Sequence, residues 1–480
     1  MGPRRVTSIL LLAALVAAGL LPQPARASRT QESLFQDDAS IVYASAARRD
    51  RTLDELRGLG VDVLRVNVIW NRYAPHPRSK RKPRFDARDP SRYPRLGAID
   101  AVVNGATARG ISVLLTVTAP GPAWASRCKG SPSRRRICSP KPSEYGAFMT
   151  ALGRRYPGVT RWSIWNEPNL GSWLTPQWSR RGGHWVRWSP VMYRGLVRAA
   201  TAALAATGHG GDQVLLGETA PGGRTSGSYF KRNIAPADFY RELFCLDARG
   251  RKLRGRAARV RGCGRYAPLA VTGIAHHPYT RGAGLSPHNR GARGDITIAS
   301  LGRLSHWADA GARRGRVPHG LPIWLTEFGF QTRPPDPFSG TSLGNQARWI
   351  NESDWMMWHN ARVRSVAQYE MRDERVIGAF QTGLRFFRGR AKPGLAAYRL
   401  PIWVSRGRSS TRLWLHVRPQ ARIGAPQEVT IQYRARRARR WSTLGKATTD
   451  ANGYVFTSIR RRAAFWRFRW SGHYSRTAAG

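Results

Sequence analysis

Acidic side chains are scarce in this 480-residue chain: 28 Asp and Glu stand against 80 Lys and Arg, a formal net charge of +52. The excess is mostly arginine, spread along the chain rather than gathered in one block. Two explanations fit it. One is attraction to polyanions such as acidic glycans, teichoic-type wall polymers or nucleic acid; the other is arginine serving as a general surface residue through genomic base composition. No finger, recognition-helix or RNA-binding signature is present, so a specific nucleic-acid partner is not expected. Cysteine is limited to four residues, and no Cys/His spacing resembles a zinc site, so no metal is expected. A Gly-rich phosphate loop after an early strand is missing, which counts against an open doubly wound nucleotide-binding sheet. No repeat of 20 to 50 residues and no low-complexity linker interrupts the chain.

Long apolar runs are lacking beyond the N-terminus. There, Arg4 and Arg5 precede an apolar run from Ile9 to Leu21, followed by Ala25-Arg26-Ala27 as a small-residue cleavage pattern. This reads as a secretory signal over residues 1–27. The run is roughly 13 residues, short of the ~18 to 20 that span a bilayer. The expectation is a secreted, soluble, monomeric chain with no transmembrane anchor after signal removal. In an exported chain, Cys128 with Cys138 and Cys245 with Cys263, each close in sequence, are expected to form two local disulfides. Three connectivities are formally open, and free thiols are the alternative.

What is present is an alternation of short apolar runs with segments able to hold a helix. Eight runs are legible: Ser33 to Gln36, Val61 to Val68, Ile111 to Thr118, Val159 to Trp165, Val214 to Gly217, Leu269 to Ala275, Pro322 to Thr326, and Arg364 to Tyr369. The second, third and seventh are rich in Val, Ile and Leu, as strands buried on both faces are. Thr52 to Leu59, Ala98 to Arg109 and Met192 to Ala206 are predicted helices between them. Eight βα units predict an α/β fold, a (β/α)8 TIM barrel over residues 28–399. After about Arg399 the period becomes two, in Leu413/Leu415/Val417, Val429/Ile431/Tyr433 and Trp466/Phe468/Trp470, with a turn signal at Asn452-Gly453. A small antiparallel β-sandwich is predicted over residues 400–480.

At the mouth of such a barrel, side chains from the carboxyl ends of the strands converge. The fourth run ends Trp165-Asn166-Glu167-Pro168-Asn169, and the seventh ends Thr326-Glu327-Phe328-Gly329. Each sets a carboxylate just past a buried strand, on opposite sides of the mouth. Cleaving a glycosidic bond requires two such groups, one to protonate the departing oxygen and one to attack or to activate water.

These two segments resemble those of clan A retaining glycoside hydrolases, the cellulase-like and xylosidase-like superfamily. The resemblance implies that Glu167 is the acid/base, that Asn166 holds the substrate 2-hydroxyl, and that Glu327 is the nucleophile. His277-Pro278-Tyr279, after the sixth run, is similar to the family's His-x-Tyr, in which the Tyr donates to the nucleophile. Arg65 matches an Arg that holds the nucleophile charged. A nucleophile is expected to have a low pKa and an acid a raised one, with Trp165 supplying apolar surroundings for Glu167. The chain departs from the pattern at Thr118-Ala119-Pro120, where many members have a His, and at Gln368-Tyr369-Glu370, where they keep a Trp.

Other residues face the same predicted mouth. Glu218, Asp37, Asp38 and Glu370 read as sugar-hydroxyl binders or loop anchors, Glu218 being the first substitute for Glu167. Trp124, with Trp70, Trp173, Trp178, Trp185 and Trp188, falls in loops where an indole could stack on a sugar. The expected function is therefore a cofactor-free hydrolase of O-glycosidic bonds in an oligo- or polysaccharide, with an anionic wall polymer among the candidate substrates. The alternative is a non-catalytic carbohydrate- or wall-binding protein on a disabled barrel.

Overall fold

The computed structural model describes residues 30–227, 230–281, 284–407, 409–419 and 424–480; the expected leader at 1–27 lies outside them. Eight parallel strands close into a barrel. They are β1 (Glu32–Gln36), β2 (Val63–Ile69), β3 (Ser112–Thr118), β4 (Arg161–Ile164), β5 (Gln213–Thr219), β6 (Gly273–His276), β7 (Ile323–Leu325) and β8 (Val363–Tyr369). Neighbours in sequence pair in order, and β8 closes on β1 with Leu34 opposite Ala367. A helix follows each strand: α1 (Ala46–Gly58), α2 (Gly97–Thr107), α3 (Pro142–Arg155), α4 (Ser189–Ala205), α5 (Pro236–Leu243), α6 (Gly302–Arg313), α7 (Leu343–Trp358) and α8 (Pro393–Arg399). All eight predicted runs contribute a barrel strand.

The differences lie at the ends. Leu269 and Val271 are buried and apolar, as the predicted sixth strand requires, yet the ladder starts only at Gly273. Apolar burial is not the same as strand pairing, and periodicity does not separate them. The fourth strand stops at Ile164, because Trp165 turns into left-handed backbone with φ 69°.

The C-terminal segment forms two antiparallel sheets. One orders Ile402–Arg406, Thr411–His416 and Tyr454–Ile459; the other orders Ser442–Thr448, Glu428–Arg434, Phe465–Trp470 and His473–Tyr474. Leu413, Leu415, Val429, Ile431, Trp466 and Phe468 fill the space between them, the residues whose alternation predicted the sandwich. Asn452-Gly453 is a turn, but the strands it joins belong to different sheets, so it is a corner and not a hairpin. Asp450 Oδ1 holds it by accepting from the amides of Asn452 and Tyr454, each at 2.9 Å.

Trp414 is buried although its neighbours Leu413 and Leu415 face the sandwich core, because its side of the sheet packs on α7 through Trp358. Trp355 stacks on Trp403 at 5.5 Å, and Arg418 pairs with Asp354 at 2.6 Å. The sandwich therefore rests directly on the barrel. Cys128–Cys138 and Cys245–Cys263 are bonded as expected, each with Cα atoms 5.9 Å apart. Thiol titration of the chain unfolded without reductant is expected to find no free thiol, and one or more per chain would refute this pairing. No helix among the described residues is long and apolar enough to cross a membrane.

Candidate active site

Two left-handed turns build the mouth around Glu167. Where β4 ends, Trp165 and Glu167 have φ of 69° and 40°; where β5 ends, Glu218 has φ of 50°. Such backbone costs about 1–3 kcal/mol per residue and persists where surrounding structure holds it. Here Glu167 N–H donates to the Glu218 carbonyl at 3.0 Å, and Asn166 N–H donates to Thr118 Oγ1 at 2.8 Å. Thr118 stands where many clan A hydrolases have a His, and in this chain it pins the Asn-Glu turn. Gly217 precedes the second turn with φ of 114°, and a Cβ there would collide with the Tyr240 hydroxyl.

Glu167 and Glu327 face each other. One oxygen of each, together with a His277 ring nitrogen, lies within 4.8 Å of the others. The partners of the two carboxylates differ. Glu167 accepts from Trp173 Nε1 at 3.1 Å and lies 3.0 Å from His277 Nδ1. Glu327 accepts from the Tyr279 hydroxyl at 2.8 Å and from Arg65 Nη1 at 3.3 Å. His277 Nδ1 is 3.7 Å from Glu327, so it bridges the pair. Two carboxylates and an imidazole are also a donor set for a divalent cation, but a cation bound there would sit beside the Arg65 guanidinium.

Arg65 is fully buried, and its principal partner is Glu218 rather than Glu327. It donates to both Glu218 oxygens, at 3.0 and 2.5 Å, and to Asn166 Oδ1 at 2.7 Å, and it also bonds Gln36. Thr116 adds a bond to Glu218 at 3.1 Å. Glu218 is therefore the buried counter-ion of Arg65, and its oxygens are committed below the mouth, which removes it as a sugar binder or as a substitute for Glu167. Asp37 anchors a loop by accepting from Ser40 and Met371 amides at 2.8 and 3.1 Å. Asp38 accepts from Asn67 Nδ2 at 2.9 Å. Glu370 is 2 % exposed beyond β8.

Ionisation follows this pairing. Burial opposes charge on Glu218, but the Arg65 charge and its hydrogen bonds outweigh it and hold the carboxyl below its ordinary value. Burial raises Glu327 above its ordinary value, and nearby Glu167 adds to that; His277, Arg65 and the Tyr279 hydroxyl oppose it without reversing it. The expected low pKa thus falls on Glu218, which takes most of Arg65, and not on Glu327. Burial works against a charged His277, yet the Glu327 charge and the Glu167 hydrogen bond raise it.

Two indoles expected to line the site, Trp165 beside Glu167 and Trp124 against sugar, are packed into the core. Trp165 is fully buried against Tyr145 at 5.4 Å, and Trp124 is buried against Trp70 and Phe85 at 6.2 and 5.7 Å. Neither offers an open indole face, and Trp173 is the indole that meets Glu167. The roles of Gln36, Thr116 and Thr118 were not read from the sequence; for the two threonines the signal was a polar side chain within the mostly apolar, buried strand β3. Beside Tyr279 lies a cavity of about 260 Å³, lined in part by Phe330, Gln331, Trp349 and Phe380.

In sequence the chain matches no protein-family model and no curated protein. Its fold is similar to that of a family 39 glycoside hydrolase from the gut symbiont Bacteroides cellulosilyticus, at 13% identity and a TM-score of 0.52, over 90% of this chain and 79% of that one. It is also similar to a glucosidase from Croceicoccus marinus, at 12% identity and a TM-score of 0.53, over 92% and 95% of the two chains. At these identities the likeness is one of fold: the chain has the (β/α)8 architecture of these glycoside hydrolases, with a small β-sandwich at its C-terminus.

Proposed function

We propose that the protein is a retaining O-glycosidase acting on an oligo- or polysaccharide, with Glu167 as acid/base and Glu327 as nucleophile. The observation that carries this reading is the close approach of the two carboxyl groups, one oxygen of each lying within 4.8 Å of the other. Retaining pairs sit about 5–5.5 Å apart, whereas inverting pairs leave about 6.5–9.5 Å for a water. In the first step a Glu327 oxygen bonds the anomeric carbon as the bond to the leaving oxygen breaks, and that oxygen takes the proton of Glu167. In the second, water attacks the anomeric carbon, its proton passes to Glu167, and Glu327 leaves as carboxylate.

The surroundings suit these roles. His277 Nδ1 lies 3.0 Å from Glu167, within hydrogen-bond reach of the acid/base carboxyl. The oxygen of Asn166 is committed to Arg65, so its amide NH2 is the group left for a substrate hydroxyl. Two disulfides and the N-terminal segment support secretion, and an anionic wall polymer suits the +52 charge. The reading is tested by hydrolysis of a panel of aryl glycosides and wall polysaccharides, with the product anomer followed by NMR from the first turnovers. Net retention is expected. Inversion would overturn the mechanism, and glycan binding without cleavage would favour the disabled-barrel alternative.

The raised Glu327 carboxyl predicts the pH profile. Attack requires Glu327 as carboxylate, so the acid limb of kcat/KM is expected above the ordinary Glu value of about 4.3. Tyr279→Phe removes a donor that favours the charged form, so the limb should move to higher pH while the alkaline limb stays. An unmoved acid limb would remove Tyr279 from the nucleophile's control.

A further inference from the structure

In a parallel barrel, the segments that follow the strands emerge on one face, around the mouth. Of the nine large apolar side chains exposed among the described residues, five lie on the two segments after β7 and β8. Phe338 is 76 % exposed, Val376 67 %, Ile377 51 %, Phe387 45 % and Phe380 37 %. These segments are tied into one platform. Gln331 bonds Ser339 at 3.2 Å and accepts from the Gln381 amide at 3.1 Å, while buried Lys392 joins Thr332 at 2.7 Å to Asp373 at 2.6 Å. From the platform, Phe380 reaches inward, 4.9 Å from the Tyr369 ring and 6.1 Å from Tyr279, whose hydroxyl bonds Glu327.

We propose that this rim docks on an anionic lipid bilayer and presents the mouth to glycans carried on lipid. The substrate half of the inference rests on the glycosidase reading above; the docking half does not. The residue types separate lipid from sugar. Val376 and Ile377 offer neither the flat face nor the polar edge with which Trp and Tyr stack on a pyranose, so a hydrocarbon phase is the partner that would reward their burial. Arg333, Arg375, Arg388 and Arg390 are exposed on the same two segments. Apolar tips flanked by arginine match the boundary between acyl chains and anionic headgroups, where basic residues add electrostatic attraction to the burial of the apolar tips. A second copy of the chain is a poor occupant, because it would bring +52 against +52.

The test is co-sedimentation of the whole chain with phosphatidylcholine vesicles, with and without one-third phosphatidylglycerol, at physiological and at high salt. Wild type is expected to bind the anionic vesicles and to keep part of that binding at high salt. Val376→Ser/Ile377→Ser, which leaves charge unchanged, is expected to weaken it at least about tenfold. Phe456→Ser, an equally exposed apolar change on the sandwich, is expected to leave it unchanged. Equal binding by wild type and the double variant would show general positive charge at work and overturn the proposal, as would no binding to anionic vesicles. Hydrolysis of a soluble aryl glycoside should be the same in all three proteins; its failure in wild type would overturn the glycosidase reading while vesicle binding still judged the docking.

Discussion

Glu327→Gln is expected to lower kcat by at least about 10⁴-fold on every substrate the protein cleaves, because in the proposed mechanism the Glu327 carboxylate is the group that bonds the anomeric carbon and an amide is a far weaker nucleophile. Glu167→Gln is expected to behave differently. General acid catalysis contributes about 10²–10⁴-fold, and only where the leaving group needs a proton. With a dinitrophenolate leaving group the loss in bond cleavage at Glu167 should nearly vanish; with an alkyl or sugar leaving group it should be complete. The loss at Glu327 should be large with both. The measurement is kcat/KM for each variant on the two substrate types. A Glu167→Gln defect that ignores the leaving group would end its assignment as the acid, and residual activity in Glu327→Gln near wild type would end the nucleophile assignment. Each glutamate keeps hydrogen-bond partners of its own, Trp173 for Glu167 and Tyr279 and Arg65 for Glu327, with His277 bridging the two. The near-isosteric changes should therefore leave the fold intact.

Arg65→Leu is expected to have the largest effect on stability. It leaves Glu218 buried with no opposing charge, which costs about 3–5 kcal/mol when one partner of a buried pair is removed. The pH dependence has a definite sign. In wild type the Glu218 carboxyl is depressed, so its pairing contributes stability above the unfolded Glu value of about 4.3, lost only as pH falls through the lower folded value. In Arg65→Leu, burial acts unopposed by Arg65 and raises Glu218, so the group becomes neutral at mildly acid pH and its penalty shrinks. Urea denaturation should thus show a wide gap between wild type and variant near pH 7 that narrows towards pH 4.5. Arg65→Leu/Glu218→Leu should recover part of the loss at pH 7. A gap below about 1 kcal/mol, or one independent of pH, would show that the pair is not what holds this floor together.

Arg65 also marks the limit of reading the site from sequence. A lone arginine in an apolar strand announces a buried charge and therefore a buried partner. Three carboxylates, Glu167, Glu218 and Glu327, all follow strands that open on the same mouth, and pattern alone does not rank their distances. The family resemblance pointed to Glu327; the fold gives Arg65 two short bonds to Glu218 and one longer bond to Glu327. Tryptophans failed in the same way. Trp165, next but one to Glu167 in sequence, turns into the core because its own backbone is left-handed, while Trp173, six residues beyond Glu167, folds back on it.

The barrel, the sandwich and the two mouth glutamates were legible because their signals are local: apolar runs of strand length, helix-capable segments between them, period-two alternation after Arg399, and a carboxylate just past a buried strand. Hydrophobic periodicity is set by the geometry of one element, so one element's sequence carries it. The ion pairs, the ionisation of Glu327, the burial of Trp124 and Trp165, and the sharing of Phe380 between rim and site arise where strands distant in sequence meet. Arg65 and Glu218 are 153 residues apart, and Arg65 and Glu327 are 262 apart. Closure of the barrel sets Arg65 at 2.5 and 3.0 Å from the Glu218 oxygens and at 3.3 Å from Glu327, and these distances decide which charge it pairs with first.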